Sequence, residues 1–255
     1  MNLRSTFFDM CTICLIAVSA PLLFPLVLLC ITGCDFAADT PNAPDTPKDS
    51  EVSTAPEQQN NTNQVSEVIQ TAGGLFSGTS RLNLSKTHVT DDQMKDLGKL
   101  SHLESLNLSG AQITEVGLES LRELTNLKEL YAAGTQLTDE GLKKLKGLTS
   151  LELLNIVNTQ VTDAGLEHLE SLTSLKKLYL SGTQTTDTGL DYLKELTNLE
   201  LLNIAFTRVT DTGLEHLTGL SRLKLLFVSG TRITNDGLDC LGHLENLEIQ
   251  RPHWR

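Results

Sequence analysis

The sequence is poor in cysteine where a fold could use it: of five, Cys11, Cys14, Cys30 and Cys34 precede Asp35 and only Cys240 lies beyond it. A disulfide framework is therefore excluded from the C-terminal two thirds. Cys11, Cys14 and Cys30 sit in an apolar run with no accompanying His or acidic pair, so the cluster does not read as a metal site. Positive charge is in deficit too, with 20 Lys and Arg against 32 Asp and Glu and a net charge of -12. The two signs are interspersed through the C-terminal two thirds, which argues against nucleic acid or an anionic lipid surface as the main partner. A phosphate-binding glycine loop is missing, because the recurring glycines are spread out, as Gly117, Gly141 and Gly165 are, rather than clustered. So is a catalytic inventory: no nucleophile, base and orienting group occupy distinct, unrepeated positions, and the nearest unusual cluster is His253-Trp254. These absences predict no enzyme activity, no metal or other cofactor, and no small-molecule substrate.

What is present falls into three parts: 1–33, 34–70 and 71–255. From Met10 to Gly33 there is no charged residue, and Leu, Ile, Val and Phe dominate, which marks a membrane-engaging segment. Its end, Ile31-Thr32-Gly33-Cys34, resembles the bacterial lipobox. That resemblance implies lipidation of Cys34, cleavage before it, and a mature chain beginning there. Asp35 behind the lipidated position implies, by enteric-type sorting, retention at the inner membrane. The alternative is an uncleaved helix, since an uncharged run from Met10 to Gly33 is long enough to span a bilayer core of about 30 Å; Pro21 and Pro25 weaken that helix without excluding it. Either reading anchors the chain in the cell envelope with the remainder facing the periplasm or the exterior.

Residues 34–70 carry Pro41, Pro44, Pro47 and Pro56 among Asp, Thr, Ser, Asn and Gln. Such a composition buries too little surface to fold, so the segment is expected to be a flexible tether with an average reach of roughly 30 to 40 Å. A short helix at Gln64–Ala72, with Val65, Val68 and Ile69 on one side, is expected to cap the first repeat.

The repeat is the strongest signal. Leu103, Leu127, Leu151, Leu175, Leu199, Leu223 and Leu247 recur at one constant interval, and Leu106, Leu130, Leu154, Leu178, Leu202 and Leu226 follow at the same interval three positions later. Within one unit, Leu151, Leu154 and Ile156 read as a short strand, and Leu166, Leu169 and Leu172 as a helical or 3₁₀ turn. One coil cannot bury its leucines alone, so seven complete coils and a truncated eighth must stack on a shared core, each buried Leu or Val contributing about 1.5–3 kcal/mol. The pattern breaks in the eighth at Gln250 and Pro252, giving either a minimal cap or an assembly edge. The unit from Leu127 to Leu142, with Thr135, Thr138, Asp139 and Gly141, resembles the leucine-rich-repeat family in its bacterial LxxLxLxxTxLTDxGLxxLxxL form over about residues 80 to 250. The resemblance implies an α/β solenoid, a right-handed superhelix with parallel strands on the concave face and short helices on the convex face. It also implies a non-catalytic protein-binding role.

Three columns shape the backbone. Thr87, Thr135, Thr159, Thr183, Thr207 and Thr231 are expected to bond backbone groups at the bend after each strand, with Ala111 as the exception. Asp91, Asp139, Asp163, Asp187 and Asp211, each preceded by Thr, read as helix-start caps, with Glu115 and Asn235 standing in for Asp. The alternatives are a calcium ladder or a carboxylate pair, but a catalytic site is normally unique along a chain and this residue recurs. Gly117, Gly141, Gly165, Gly189, Gly213 and Gly237 mark tight backbone packing.

Alternation along the strands leaves an exposed inner face. One row reads Asn83, Asn107, Tyr131, Asn155, Tyr179, Asn203, Phe227, and the row two residues earlier reads Arg81, Ser105, Glu129, Leu153, Lys177, Leu201, Leu225. The C-terminal half is the more apolar. Tyr131, Tyr179 and Phe227 form an aromatic stripe with a ring roughly every 10 Å, and Phe206 projects near a strand end. The candidate partner-binding residues are therefore Tyr131, Leu153, Asn155, Lys177, Tyr179, Leu201, Asn203, Phe206, Leu225 and Phe227, for an unknown protein ligand. The competing explanation is strand propensity plus an internal duplication of two repeats, which pairs Tyr131 with Tyr179, Asn155 with Asn203, and His168 with His216. His168, His216 and Cys240 share one position on the convex side, where the histidines are expected to face solvent and the thiol to be incidental. An envelope structural protein that binds glycan or cell-wall polymer is the alternative function.

Overall fold

The computed structural model describes Ile69 and residues 80–251, all within the compact unit Ser53–Arg255. The apolar segment 1–33, Cys34, the tether apart from Ile69, and His253-Trp254 lie outside the described residues. Of the helix expected at Gln64–Ala72 only Ile69 is described, and it is helical and buried in the core; the rest of that expectation lies outside the described residues.

Each coil contributes one strand of three residues: β1 (Arg81–Asn83), β2 (Ser105–Asn107), β3 (Glu129–Tyr131), β4 (Leu153–Asn155), β5 (Lys177–Tyr179), β6 (Leu201–Asn203), β7 (Leu225–Phe227) and β8 (Glu248–Gln250). They form one parallel sheet in chain order. Between them run α1 (Asp91–Gly98), α2 (Glu115–Glu119), α3 (Asp139–Lys144), α4 (Asp163–Leu166), α5 (Asp187–Asp191), α6 (Asp211–Leu214) and α7 (Asn235–Leu238). Four of these continue into 3₁₀ turns, such as Glu167–Leu169 after α4. The strands are shorter than the span Leu151–Ile156 suggests: only the residue at the centre of each pleat, such as Leu154, points inward from the strand, and Leu151 and Ile156 are fully buried on either side of it.

Pairing is in register at the repeat spacing from β1 to β7, and slips by one position at β8, where Leu226 pairs with Ile249. The eighth coil is thus shorter by that one position where Gln250 breaks the pattern. The leucines of successive coils merge into a single core running from Ile69 to Leu241.

The threonine column behaves as expected: Thr135, Thr159 and Thr183 each donate a hydroxyl hydrogen bond to the carbonyl three positions back, at 2.7 Å. The acidic column does not cap its own helix. Thr supplies that cap at five of the seven helices, as Thr138 does by accepting the Gly141 N–H, while Thr186 and Thr210 make no side-chain cap bond. Asp instead reaches the next coil: Asp139 accepts the Thr162 N–H on one oxygen and the Thr162 hydroxyl on the other, both at 2.7 Å. Asp163, Asp187 and Asp211 repeat this bond pair on Thr186, Thr210 and Thr234. Charge-assisted bonds of this kind are about twice as strong as neutral ones.

The glycine column follows from that ladder. A Cβ at Gly165 would stand 2.4 Å from Asp139 Oδ1, at Gly189 2.3 Å from Asp163 Oδ1, and at Gly213 2.5 Å from Asp187 Oδ1. Glycine leaves the space through which the preceding coil's carboxylate arrives. The two ends differ accordingly. In the first described coil the glycine position is Gln93, whose Oε1 accepts the Thr90 N–H at 2.9 Å in place of an incoming Asp. In the last, Asn235 replaces Asp and accepts from Arg251 at 2.8 Å.

Candidate functional site

Strand pairing brings Tyr131, Asn155, Tyr179, Asn203 and Phe227 into one continuous row, and Leu153, Lys177, Leu201 and Leu225 into the row beside it. All five of the first row are half-buried, which is the exposure of side chains lying along a sheet surface. Burial pushes the Tyr131 and Tyr179 phenols up, with Glu129 adding to the effect on Tyr131, so both keep their proton and can donate at neutral pH.

Two of the candidates serve the scaffold as well. Asn155 accepts the Val157 N–H at 3.2 Å and Asn203 the Ala205 N–H at 3.0 Å, the Asx bond that Asn83 and Asn107 also make. Where Tyr or Phe occupies the row, that side-chain oxygen is given up for a ring. Leu153 corrects the expectation of exposure: it is only 8 % exposed. Its register neighbours are the long side chains Glu129 and Lys177, and it shares a groove with them and with Glu104, Lys128, Glu152 and Lys176. Along that groove acid and base alternate coil by coil, with Lys128–Glu104 at 2.9 Å and Lys176–Glu152 at 2.8 Å, and the alternation continues past it with Lys224–Glu200 at 2.9 Å.

Phe206 lies in the bend after β6 rather than on the strand. It belongs to a column that periodicity alone did not reveal: Lys86, Gly110, Gly134, Asn158, Gly182, Phe206 and Gly230 all have positive φ. The signal was there in four glycines spaced by multiples of the repeat. At φ +56° a residue with a Cβ sits in the left-handed region at a cost of roughly 1–2 kcal/mol, tolerable for Asn and unusual for an aromatic. Phe206 is nonetheless 58 % exposed. Its ring lies across Gly230, where a Cβ would meet Phe206 Cδ1 at 2.5 Å. Next to this column runs an exposed row, His88, Gln112, Gln136, Gln160, Gln184, Arg208 and Arg232, that turns from neutral to basic in the coils that hold Phe206 and Gly230.

On the helix side, His168, His216 and Cys240 are half-buried rather than solvent-facing, because the adjoining leucines draw that position inward. His216 Nδ1 lies 3.2 Å from Asp191. Burial pushes the Cys240 thiol up, which disfavours the reactive thiolate. Among the described residues no helix is long and apolar enough to cross a membrane.

A single sheet of eight parallel strands, one per coil and backed by short helices, is a leucine-rich-repeat solenoid. The chain carries leucine-rich repeats: the family model described as "Leucine Rich repeat" matches residues 99–121, 123–146 and 195–217. Such repeats suggest a protein–protein interaction module. Among solved structures, the chain is similar to internalin C2 from Listeria monocytogenes, at 25% identity over 74% of this chain and 92% of that one, with a TM-score of 0.58. A leucine-rich-repeat protein of Leptospira interrogans matches at 23% identity over 67% of this chain and 48% of that one, with a TM-score of 0.49. No curated protein matches the chain significantly.

Proposed function

We propose that the chain is a non-catalytic interaction module, anchored in the cell envelope, that presents its strand face to another protein on the outer side of the cytoplasmic membrane. The observation that carries this reading is the in-register row Tyr131, Asn155, Tyr179, Asn203, Phe227, with a ring on every second strand. Tyrosines that keep their proton offer both apolar area and a donor, a combination enriched at protein interfaces. The carboxylates that could have served catalysis or a cation hold threonines of the next coil instead.

The anchor rests on the uncharged run 10–33 and the lipobox-like Ile31-Thr32-Gly33-Cys34. Replacing Cys34 by Ala is expected to release the protein from membranes or leave it unprocessed; unchanged processing and partition would favour an uncleaved anchoring helix. For the face, the full-length chain carrying Tyr131→Asn, Tyr179→Asn and Phe227→Asn takes the row to the residue its other strands use. Photo-crosslinking in intact cells followed by mass spectrometry is expected to lose the partner in this variant while an unaltered face retains it. An unchanged crosslink pattern sinks the reading. Alternating rings and amides also suit a glycan, and saturable binding on a glycan array would move the function to cell-wall polymer.

A further inference from the structure

Resting on the reading that this chain binds protein, we propose that Phe206, Arg208 and Arg232 form a distinct locus that grips an acidic peptide segment of the partner bearing one large apolar side chain. The positive-φ column prefers Gly, and Phe206 is the one aromatic in it. It is strained and exposed at once, and such outliers persist where function requires them. The lack of a side chain at Gly230 makes room for the Cδ1–Cε1 edge of the ring in the next coil, and the side chain stays largely exposed. Beside it, Arg208 and Arg232 replace the Gln that four successive coils carry in the same row. Among the described residues neither guanidinium has a carboxylate partner, a state they share with Arg81, Lys86, Lys146 and Lys177, whereas Lys128, Lys176, Lys194 and Lys224 are each ion-paired; what sets Arg208 and Arg232 apart is their place beside the exposed Phe206. The carboxylates of the adjoining helix starts, Asp187 and Asp211, are held by Thr210 and Thr234. The locus thus offers an apolar plate and two unengaged forks in a chain whose net charge is -12. Distant acidic charge is screened beyond about 8 Å at physiological salt, so the local pair decides which ligand stays. Guanidinium forks match carboxylates bidentately, and an aromatic flanked by Arg has the composition of an interface hot spot.

The test uses the full-length protein in detergent on an array of random dodecapeptides, followed by titration of the best peptide. Enrichment of sequences with two or more Asp or Glu around a Leu, Phe or Trp is expected. Arg208→Gln with Arg232→Gln, which takes the row to its commoner residue, should weaken that peptide by about tenfold or more, and less at high salt. Phe206→Gly should weaken binding by a similar factor while raising the melting temperature by about 2–4 °C, because it relieves the left-handed strain; a ring with a purely structural role would lower it. Enriched peptides without acidic bias, or an affinity unmoved by these variants but lost with Tyr131→Asn, Tyr179→Asn and Phe227→Asn, overturn the locus and leave the strand-face reading standing. The absence of saturable binding to any peptide overturns the locus, while the strand-face reading stands or falls on the crosslinking experiment. Binding to phosphatidylglycerol vesicles that the Arg and Phe variants abolish would assign the locus to a lipid surface and overturn the peptide proposal.

Discussion

The helix-start side and the strand face are built from the same repeat by opposite rules. On the helix-start side, coil after coil repeats Thr, Asp and Gly, because each carboxylate must meet the next coil's threonine through the gap that the next coil's glycine leaves. On the strand face the inward leucine is repeated from β1 to β7, and its outward neighbours run from Arg81 and Asn83 on β1 to Leu225 and Phe227 on β7, then return to Glu248 and Gln250 on β8. Repetition marks contacts between coils, which every coil needs alike. Variation marks surface that coils do not need from one another, and there a ligand can be specified.

The largest expected effect lies on the repeated side. Gly213→Ala would place a Cβ 2.5 Å from Asp187 Oδ1, and losing that carboxylate's bonds to Thr210 should cost about 2–3 kcal/mol in thermal or urea unfolding. Gly219→Ala, with nothing within 4 Å of the added carbon and no positive φ, should be neutral or stabilise by up to about 1 kcal/mol. Equal costs at the two positions would break the link between glycine and acid. The strand-face variant with Tyr131, Tyr179 and Phe227 changed to Asn should reverse the pattern, moving stability by about 1 kcal/mol or less while partner crosslinking disappears. A large loss of stability there would make the aromatic row scaffold after all.

Acid should separate the two sides as well. The Thr234 N–H, and after it the Thr234 hydroxyl, hold the Asp211 carboxyl below its ordinary 3.8. A depressed folded value means a contribution present above pH 3.8 and lost as the pH falls through the folded value. Asp211→Asn should therefore lower stability at neutral pH and flatten the acid limb below about pH 4. Circular dichroism from about pH 2 to about pH 6 checks this; an unchanged acid limb would place the acid sensitivity elsewhere.

The leucine columns and their constant period made the fold legible before any coordinate, because an inward residue recurring once per coil has one geometric solution. The rows of the strand face were legible for the same reason, since strand alternation fixes which side of the sheet a residue takes. Periodicity tells which residues share a column and leaves open which coil they reach for, so the aspartates read as caps of their own helices when they hold the next coil's threonine. It is equally silent on backbone sign: Gly110, Gly134, Gly182 and Gly230 announced a left-handed bend that Lys86, Asn158 and Phe206 disguised. The burial of Leu153 depended on two long neighbours across the sheet, which no reading along one strand supplies.

The alternating acid–base ladder at the margin of the strand face sits between the two regimes and tests where the boundary runs. Its ion pairs, Glu104–Lys128, Glu152–Lys176 and Glu200–Lys224, recur on every second coil, as Tyr131 and Tyr179 do, which extends the duplication to the scaffold margin. All six side chains are well exposed, and exposed pairs contribute about 0.2–1 kcal/mol each. Reversing the middle pair, Glu152→Lys with Lys176→Glu, should shift the melting temperature by no more than about 2 °C. If partner crosslinking also survives the reversal, the ladder is a by-product of duplication and the site begins inward of it. If crosslinking is lost while the melting temperature holds, the ladder belongs to the varied surface, and the contact face extends across the groove that holds Leu153 and Lys177.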